Sequence, residues 1–471
     1  MKKSLFLALS VVGTLAASAA DLSAGFSRVD ITPPLGTAMT GYFKERRAKK
    51  VLDPLQINCV AFSDGKAKAL VMVVDTMSIC DSVAQRIREA AAKASGAPVG
   101  AILVHAQHTH DSGILSSDKD LSALDRLYAE QCVARAGDAA AMAVADLKPA
   151  SLSCARATAS RISFGRRYLM KDGKVRTNPG VNNPEIVKPV GNPPDEEVQV
   201  LRIDREGAKA ICIVNFQTHP DVVGGETITA DWPGLTRAVF EAASFGEANC
   251  LVINGTQGDV NHVNVMPRPG ERNELQRDFD DVDRGYGHAK HMANVLAGAA
   301  LSVWRKCAPL EAGRIRYATE LVRVPSQRER DAAKLALARK YWELHEAGRD
   351  SEIPFKAMEL TTEVARSRRI LELADGPDFF DLPISALAIG KSVAFCGFPG
   401  EPFNDIGKAV KRSSPFAMTI PSCLTNGSRG YFPFSDSYAQ GGYESATSPF
   451  GPTVADDLTA GTKRLLDGLA K

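Results

Sequence analysis

Three apolar segments of this chain each lead into a residue that can bind a metal ion. Ala101–Val104 precedes His108 and His110 in VHAQHTHDSG, ICIVNF precedes His219, and SVAFCGF precedes Glu401. Their length and composition predict buried β-strands. Ligands that follow three strand ends can converge on one ion. A hydrolytic zinc site needs this arrangement of few protein ligands, an open position and a rigid base.

The composition excludes several classes of function. With 471 residues, 44% of them hydrophobic, the chain has ample material for a large core. The formal net charge is only +2 and the basic residues are scattered, so no nucleic-acid partner is expected. The short ERRAKK run is interpreted as a solvated loop. No segment after the N-terminus is long and apolar enough to span a bilayer.

The N-terminus predicts a signal peptide over residues 1–20. A basic start, KK, is followed by the apolar stretch Leu5–Leu15 and by the small residues Ala17–Ala20. Cleavage would leave Asp21 as the first residue of the exported chain. We therefore expect a periplasmic or extracellular protein. The alternative is a retained N-terminal anchor.

Strand and helix patterns alternate along the chain, which predicts the α/β class: a mixed β-sheet core flanked by helices. The segment 57–79 predicts a hairpin around Ser63-Asp64-Gly65. Ser82 and Gln85 suggest a capping box for a helix that ends near Gly96. A longer helix is predicted over Leu121–Ala145.

Two further helical patterns define a helical insertion at about residues 325–376, before the last strands. Plain surface helices and a cover over the site both fit this pattern. The segment Met170–Pro194 is rich in Gly, Pro and Asn. It is long for a structureless connection, and such loops often line binding sites.

The nine cysteines do not predict a metal site. Their number is odd and no CxxC spacing occurs, which argues against a thiolate zinc site. Several lie inside apolar segments and are interpreted as small buried hydrophobic residues. A disulfide stays open in an oxidising compartment, but no pair can be assigned.

The HTH element fits two well-known zinc patterns poorly. Metallo-β-lactamase-like enzymes extend it to HxHxDH, whereas Ser112 and Gly113 occupy those last two places here. Amidohydrolase barrels carry HxH on their first barrel strand. Here it follows a hairpin and a helix, and no barrel series follows.

Other polar residues are candidates with alternatives. His219 is held extended by Pro220 and suits a ligand at a strand end, although a core histidine is equally consistent. Asp231 can orient a histidine or cap a helix. The loop with Asp259 and Asn261 follows another strand; its backbone amides can bind an oxyanion, or it is a plain tight turn.

Three tyrosines lie close together in GYFPFSDSYAQGGYESATSPFG: Tyr431, Tyr438 and Tyr443. Tyrosines in loops are usually packing residues. A phenol beside a zinc ion, however, can ligate the ion or donate a hydrogen bond to a developing oxyanion.

Together these segments resemble the catalytic domain of the neutral/alkaline, non-lysosomal ceramidase family. The resemblance rests on GFSRVDITPPLG, HTH, HP, GDVN, PGE and the YES segment, in this order, and covers about residues 25–455. It implies a zinc ion (Zn²⁺) held by His108, His219, Glu401 and Tyr431.

The resemblance also implies catalytic roles. His110, the second histidine of HTH, takes the position of the family's catalytic histidine. Tyr443, twelve residues after Tyr431, matches the tyrosine of a YEGA motif, and Arg166 in FGRRY matches the arginine of an NR dipeptide. The implied activity is hydrolysis of an N-acyl bond, ceramide to sphingoid base and fatty acid, by zinc-activated water.

The chain departs from the family pattern in several places. HTHSGP is HTHDSG here, which brings in Asp111. Asn261 and His262 replace the Ser-Pro of GDVSPN, and Gly165 stands before Arg166. Family members also carry a further β-sandwich domain, which we expect to be absent here, so that residues 21–471 form one catalytic domain.

The sequence therefore predicts a secreted or periplasmic zinc-dependent amide hydrolase that acts on a lipid or small-molecule N-acyl amide. Two alternatives stay open: a zinc hydrolase of another acyl amide or an ester, and a non-catalytic secreted binding protein on the same fold. The oligomeric state cannot be read from the sequence. Histidine, carboxylate and phenol ligands suit zinc, although iron or manganese would also fit.

Overall fold

A computed structural model describes residues 22–43, 45–278, 280 and 282–471. The predicted signal peptide, residues 1–20, lies outside the described residues.

The helices of this described part are α1 (Asp81–Ser95), α2 (Ala123–Ala145), α3 (Asp231–Ala243), α4 (Tyr286–Trp304), α5 (Ala332–Glu346), α6 (Ala357–Leu373), α7 (Asn404–Ser413), α8 (Ser435–Gln440), α9 (Tyr443–Thr447) and α10 (Val454–Ala470). Short 3₁₀ turns cover Val99–Ala101 and Asp350–Glu352.

The strands are β1 (Ser23–Asp30), β2 (Ala38–Met39), β3 (Arg46–Arg47), β4 (Lys50–Val51), β5 (Gln56–Ser63), β6 (Lys68–Val74), β7 (Ile102–Ala106), β8 (Lys148–Thr158), β9 (Phe164–Gly165), β10 (Arg167–Met170), β11 (Val175–Thr177), β12 (Ile186–Pro189), β13 (Glu197–Arg205), β14 (Ala210–Phe216), β15 (Thr227–Ile228), β16 (Ala248–Asn254), β17 (Val260–Asn261), β18 (Gln276–Arg277), β19 (Asp283–Arg284), β20 (Ala308–Leu310), β21 (Ile315–Pro325), β22 (Phe379–Ile389), β23 (Val393–Gly397), β24 (Glu401–Pro402), β25 (Met418–Ser422) and β26 (Tyr431–Phe432).

A large mixed sheet forms the centre of the fold, with strand order β16-β14-β13-β8-β1-β5-β6-β7 and β20 beside β8. The pairs β14–β16 and β6–β7 are parallel, and the pairs between them are antiparallel. The predicted hairpin is β5–β6, in which Ser63 pairs with Lys68. This sheet and its helices confirm the predicted α/β class.

A second sheet, β21-β22-β23-β25, packs against the first. Ile315 to Pro325 pair in register with Ile389 to Phe379, so β21 and β22 form one long antiparallel ladder. Helices α5 and α6 lie in the connection between these two strands. The helical insertion before the last strands is therefore confirmed, and it interrupts a single β-hairpin.

The two sheets and their helices make four layers. Strand β6 shows why its sequence is apolar throughout: Leu70, Met72 and Val74 pack towards α1 and α2, whereas Val71 and Val73 face the second sheet. A strand that is buried on both faces needs a continuous rather than an alternating apolar pattern. Helices α3 and α4 cover the other half of the same outer face, and α10 covers the second sheet.

The local helix signals were partly right. Helix α2 begins after Ser122, whose hydroxyl accepts a hydrogen bond from the Asp125 amide, and it ends at Ala145 as predicted. Helix α1 ends at Ser95, and Gly96 follows it in the left-handed conformation, close to the predicted end. The predicted capping box is wrong, because the N-cap residue is Cys80 and no side chain caps the helix. The Ser82 hydroxyl donates instead to Asp118 at 2.6 Å, a contact that local spacing does not reveal.

The segment Met170–Pro194 is not structureless, which corrects the loop prediction. Strands β11 and β12 lie in it, and both pair with β10, which ends at Met170, to form a three-stranded antiparallel sheet. All nine cysteines lie in the described part of the chain, and all are free thiols. Within that same part, no helix has the length and apolar character to cross a membrane.

His105 joins the two sheets and gives a pH-dependent test of the fold. Its Nδ1 lies 2.7 Å from the Thr425 hydroxyl, and burial lowers its pKa to about 4. The unfolded chain takes up a proton near pH 6.5, whereas the folded chain does not until about pH 4. His105 therefore stabilises the fold fully above about pH 6.5, and this contribution of about 3 kcal/mol is lost as the pH falls.

We expect His105→Asn to flatten the pH dependence of the unfolding free energy between these two values. Chemical denaturation across that range measures the slope. Thr425→Val removes the hydrogen bond but keeps the imidazole, so it should destabilise without changing the slope. An unchanged slope in His105→Asn would contradict this account.

Candidate metal centre

Three predicted ligands meet beyond the ends of strands from both sheets. His108 follows β7, His219 follows β14, and Glu401 follows β23. Their ligand atoms all lie within 4.8 Å of one another, and the three residues are buried. The Oε2 atom of Glu401 lies 3.3 Å from His108 Nε2 and 3.1 Å from His219 Nε2. This is the one such group of ligands in the part of the chain that the structure describes.

Backbone carbonyls set the orientation of both imidazoles. His108 Nδ1 lies 2.7 Å from the carbonyl oxygen of Met77, and His219 Nδ1 lies 2.8 Å from that of Gln257. A carbonyl only accepts hydrogen bonds, so each Nδ1 carries the proton in these contacts. Each Nε2 then presents a lone pair to the Glu401 side, which is the usual arrangement of a metal-binding histidine.

The backbone around the centre is constrained. His108 has φ +77°, a left-handed conformation that non-glycine residues adopt rarely and at an energetic cost. Its amide donates to Thr76, which holds the strained turn. Strand β24 pairs with β26 so that Glu401 stands opposite Tyr431. A Cβ on Gly258 would lie 2.6 Å from the Glu401 carbonyl, so this close packing requires glycine.

The electrostatics of the three ligands favour a cation between them. Burial alone would raise the pKa of Glu401, but the two imidazoles hold it well below its usual range. Burial opposes protonation of His108, yet Glu401 raises the pKa of that ring. Burial, together with the neighbouring Arg166 guanidinium, lowers the pKa of His219 to about 4. A buried carboxylate and two ring lone pairs thus stabilise a positive charge placed between them.

His110 lies at the edge of this group. Its Nε2 is 3.4 Å from His108 Nε2, and burial lowers its pKa to about 3, so the ring is neutral at pH 7. On the other side of the ring, Nδ1 is 3.7 Å from Asp221. Arg284 binds both oxygens of Asp221 at 3.0 Å, and the Tyr42 hydroxyl donates to it.

The sequence reasoning missed Asp221, Tyr42 and Arg284. Asp221 was findable, since it follows His219 by two residues in the HPD triplet. Tyr42 and Arg284 carry no local signal, because only the tertiary fold brings them to Asp221.

Asp111, the acid that departs from the family pattern, does not enter the centre. It is fully buried and pairs with Arg46 at 2.9 Å. Arg46 also donates to the carbonyl oxygens of His110 and Thr40. The pair therefore anchors the backbone on which His110 is mounted.

Tyr431, Tyr443 and Arg166 surround the third side of the centre. The Tyr431 hydroxyl lies 3.5 Å from His219 Nε2, and the rings of Tyr431 and Tyr443 are 5.8 Å apart. Arg166 Nη1 is 3.3 Å from His219 Nε2. Burial raises the pKa of both phenols, although Arg166 opposes that rise, so both are neutral at pH 7.

Glu444 holds Arg166 in this position. The carboxylate is fully buried; it accepts a hydrogen bond of 2.6 Å from Arg166 Nε and one of 2.9 Å from the Thr177 hydroxyl. Arg166 also donates to the Gly258 carbonyl at 2.8 Å. Sequence reasoning missed Glu444 as well, although it directly follows Tyr443.

Four other candidates lie outside this group. Asp231 neither orients a histidine nor caps a helix as its N-cap. Its carboxylate accepts from the amides of Val222 and Val223, which anchors the segment after His219.

The remaining three have packing contacts. Asp259 accepts from the Asn404 amide, Asn261 donates to the Asn178 side chain, and the Tyr438 hydroxyl donates to the Phe450 carbonyl. The loop with Asp259 and Asn261 therefore contacts the centre through the carbonyl oxygens of Gln257 and Gly258, a role that neither of the two alternatives from the sequence described.

Comparison with known proteins identifies the fold. No protein-family model matches the chain, and no curated protein does. Neutral ceramidase from Pseudomonas aeruginosa superposes with a TM-score of 0.68 at 13% identity, over 96% of this chain and 74% of that one. This chain has the fold of a neutral ceramidase. A second solved structure, a ceramidase complexed with C2, gives a TM-score of 0.67 at 14% identity, over 95% and 75% of the two chains.

The residues present fit the zinc ion that the sequence resemblance implies. Two imidazole nitrogens and one carboxylate oxygen form a donor set typical of catalytic zinc. The neutral Tyr431 phenol adjoins His219 on the same side. Burial keeps the Tyr431 phenol protonated even though the Arg166 guanidinium lies beside it. Ligation by the phenol oxygen therefore depends on the additional positive charge of the ion.

We expect His108→Ala and His219→Ala to lower the zinc content of the purified protein by about one equivalent per chain, because each removes a lone pair from the shared donor set. His110→Ala should retain that zinc. Elemental analysis after desalting measures the difference.

His345→Ala is the matched control, since this histidine lies on α5 and pairs with Asp350. Retention of full zinc content by both ligand variants would contradict the assignment.

Proposed function

We propose that this protein is a zinc-dependent hydrolase of an N-acyl amide bond. The observation that carries the proposal is the convergence of His108, His219 and Glu401, with neutral His110 immediately beside them. The ceramidase fold supports an amide substrate. Tyr431 completes the proposed ligand set.

His108, His219, Glu401 and Tyr431 would hold a zinc ion, which would supply Lewis acidity for the substrate carbonyl and lower the pKa of water. His110 acts as the general base. Its Nε2 faces the centre, accepts a proton from the attacking water and returns it to the leaving amine. Asp221, kept ionised by Arg284, lies on the Nδ1 side and stabilises the imidazolium that forms.

Tyr443 and Arg166 stabilise the oxyanion of the tetrahedral intermediate. A neutral phenol is a hydrogen-bond donor, and the guanidinium adds positive charge. Glu444 keeps Arg166 in one orientation, so its charge is in place before the reaction begins.

A groove whose wall contacts the backbone of Tyr443 supports a second candidate, a substrate that is more polar than ceramide. It has a volume of about 800 Å³ and runs between the helical insertion and the β10–β12 sheet. Thr177 and Gly442 form part of its wall, and the Thr177 hydroxyl contacts the amide of Tyr443.

The lining of this groove mixes apolar and charged side chains. Leu337, Tyr341 and Phe355 share it with charged residues that include Lys174, Lys356 and Glu363. A purely aliphatic chain would strip water from these charges at an energetic cost. An acyl amide that carries its own polar groups fits this lining better.

Substrate hydrolysis tests the proposal. We expect the zinc-loaded protein to release amine from an N-acyl amide in a panel that includes an N-acyl sphingosine, polar N-acyl amines and simple esters. His110→Ala should keep its zinc and lose turnover by about 10²-fold or more, since it removes the general base. Asp221→Asn should lower kcat more than it raises KM, because it weakens support for the imidazolium only as that ion forms.

The panel separates the candidates. Turnover of N-acyl sphingosine alone would support a ceramidase, whereas turnover of polar amides alone would support the second candidate. Bound zinc without hydrolysis of any member would support a non-catalytic binding protein. Full activity of His110→Ala would contradict the proposed base.

We also infer that the protein is exported, because its first twenty residues have the order of a signal peptide: a basic start, an apolar stretch and small residues. We expect mass spectrometry of the protein recovered outside the cytoplasm to give Asp21 as the first residue. An intact N-terminus would support the retained anchor instead.

A further inference from the structure

A second cavity contains three histidines that the proposed reaction does not use. It has a volume of about 470 Å³ and lies between the first turns of α4 and the segment that follows β17. His262, His288 and His291 line it. Their ring contacts are with one another, whereas the ring of His108 contacts those of His110 and His219.

His262 presents an unused lone pair inside the protein. The residue is 2% exposed, and its Nε2 lies 2.6 Å from the carbonyl oxygen of Asp283. Because a carbonyl only accepts, Nε2 carries the proton and Nδ1 carries the lone pair. That Nδ1 is buried and has no hydrogen-bond partner. An imidazole fixed by a backbone carbonyl, with its other nitrogen free, is the same arrangement as in His108 and His219.

His288 and His291 face the same space from one helix. They are three residues apart on α4, so their side chains lie on one face. The Nε2 of His288 is also buried without a partner. Ring centroids are 6.0 Å apart for His262 and His288 and 5.7 Å for His288 and His291. The rings of His108, His110 and His219 have centroid separations of 4.9 to 6.2 Å.

Imidazole provides the buried donors of this cavity, whereas Glu274, which also lines it, is exposed. His262 Nδ1 and His288 Nε2 are buried nitrogens without a hydrogen-bond partner, so both can serve as ligand atoms. Glu271 is bound by Arg161, and Asp283 by Arg272 and Arg277. Neutral nitrogens suit zinc, copper or nickel, whereas magnesium and calcium require oxygen ligands.

We propose that His262, His288 and His291 form a second binding site, for a transition-metal cation of the zinc, copper and nickel class. Of the three, His291 is exposed. The ligand nitrogens are not all within 4.8 Å of one another in the described structure. The proposed site therefore requires the exposed His291 side chain to turn towards the rings of His262 and His288 when the ion binds.

The position of this site links it to His110. The carbonyl of Asp283, which fixes His262, belongs to β19, and the next residue is Arg284. Arg284 holds Asp221, which lies beside His110. A metal ion on His262 therefore restrains the short strand that positions Asp221.

Metal stoichiometry tests the proposal. The full-length protein is stripped with a chelator, loaded with zinc, desalted and analysed for zinc. We expect about two zinc ions per chain in the wild type and about one in the double variant His288→Gln/His291→Gln. His219→Ala should also bind about one, because it loses the other ion. Lys290→Gln, on the same helix, is the matched control and should bind as many as the wild type.

The two sites fail separately in this experiment. A wild type that binds one zinc, lost in His219→Ala, would overturn the second site and leave the first. Undiminished zinc in the double variant would also overturn it.

If the double variant does not fold, His291→Gln decides the question, since that side chain is exposed. It should weaken zinc binding at this site by at least about tenfold in competition with a chelating dye. Unchanged affinity would overturn the proposal.

Discussion

The buried charge of Glu401 is the constraint on which the candidate centre depends. A carboxylate that is 8% exposed loses most of its hydration, and burying an unpaired charge is costly. Gln257 provides one hydrogen bond, at 3.3 Å, which does not neutralise it. The other polar groups beside this carboxylate are the imidazoles of His108 and His219. Because their Nδ1 protons point to backbone carbonyls, a cation at the Nε2 side satisfies all three groups together.

The four-layer fold makes this convergence rigid. Strands β7 and β14 belong to one sheet and β23 to the other, and all three are buried on both faces. Their ends can therefore move little relative to one another. The strained φ of His108 is tolerated because the hydrogen bonds that it donates to the carbonyl oxygens of Thr76 and Met77 hold the turn. A site on such ends is preorganised, which matters more for catalysis than the strength of any one contact.

Much of the fold and part of the centre could be predicted from the sequence because their signals are local. The strand that ends before His108, the helix after Ser122 and the helical insertion each follow from a continuous pattern of apolar residues. The convergence of strand-end ligands followed from the same patterns, together with the order of motifs shared with ceramidases.

Other features could not be predicted, because they depend on contacts between distant residues. Arg166 and Glu444 are 278 positions apart, and nothing in either segment indicates the other. For the loop that holds GDVN, the sequence left open backbone amides that bind an oxyanion or a plain tight turn, whereas the fold directs the carbonyl oxygens of Gln257 and Gly258 to His219 and Arg166. Peptide orientation of this kind is decided by tertiary packing and not by residue type. The contact of Ser82 could not be predicted for the same reason, since its hydroxyl donates to Asp118, which lies 36 positions further along the chain.

The surroundings of His110 connect these observations. Asp111 and Arg46 fix the backbone below the ring, and Asp221 with Arg284 fixes the charge beside it. Arg284 belongs to β19, a strand of two residues that pairs only with β18 among the described strands. Such a short ladder contributes little stability by itself. The orientation of Asp221 therefore depends on what else holds β19, and the carbonyl of Asp283 is held by His262. This contact makes the histidine cavity relevant to the catalytic base, although the two share no residue.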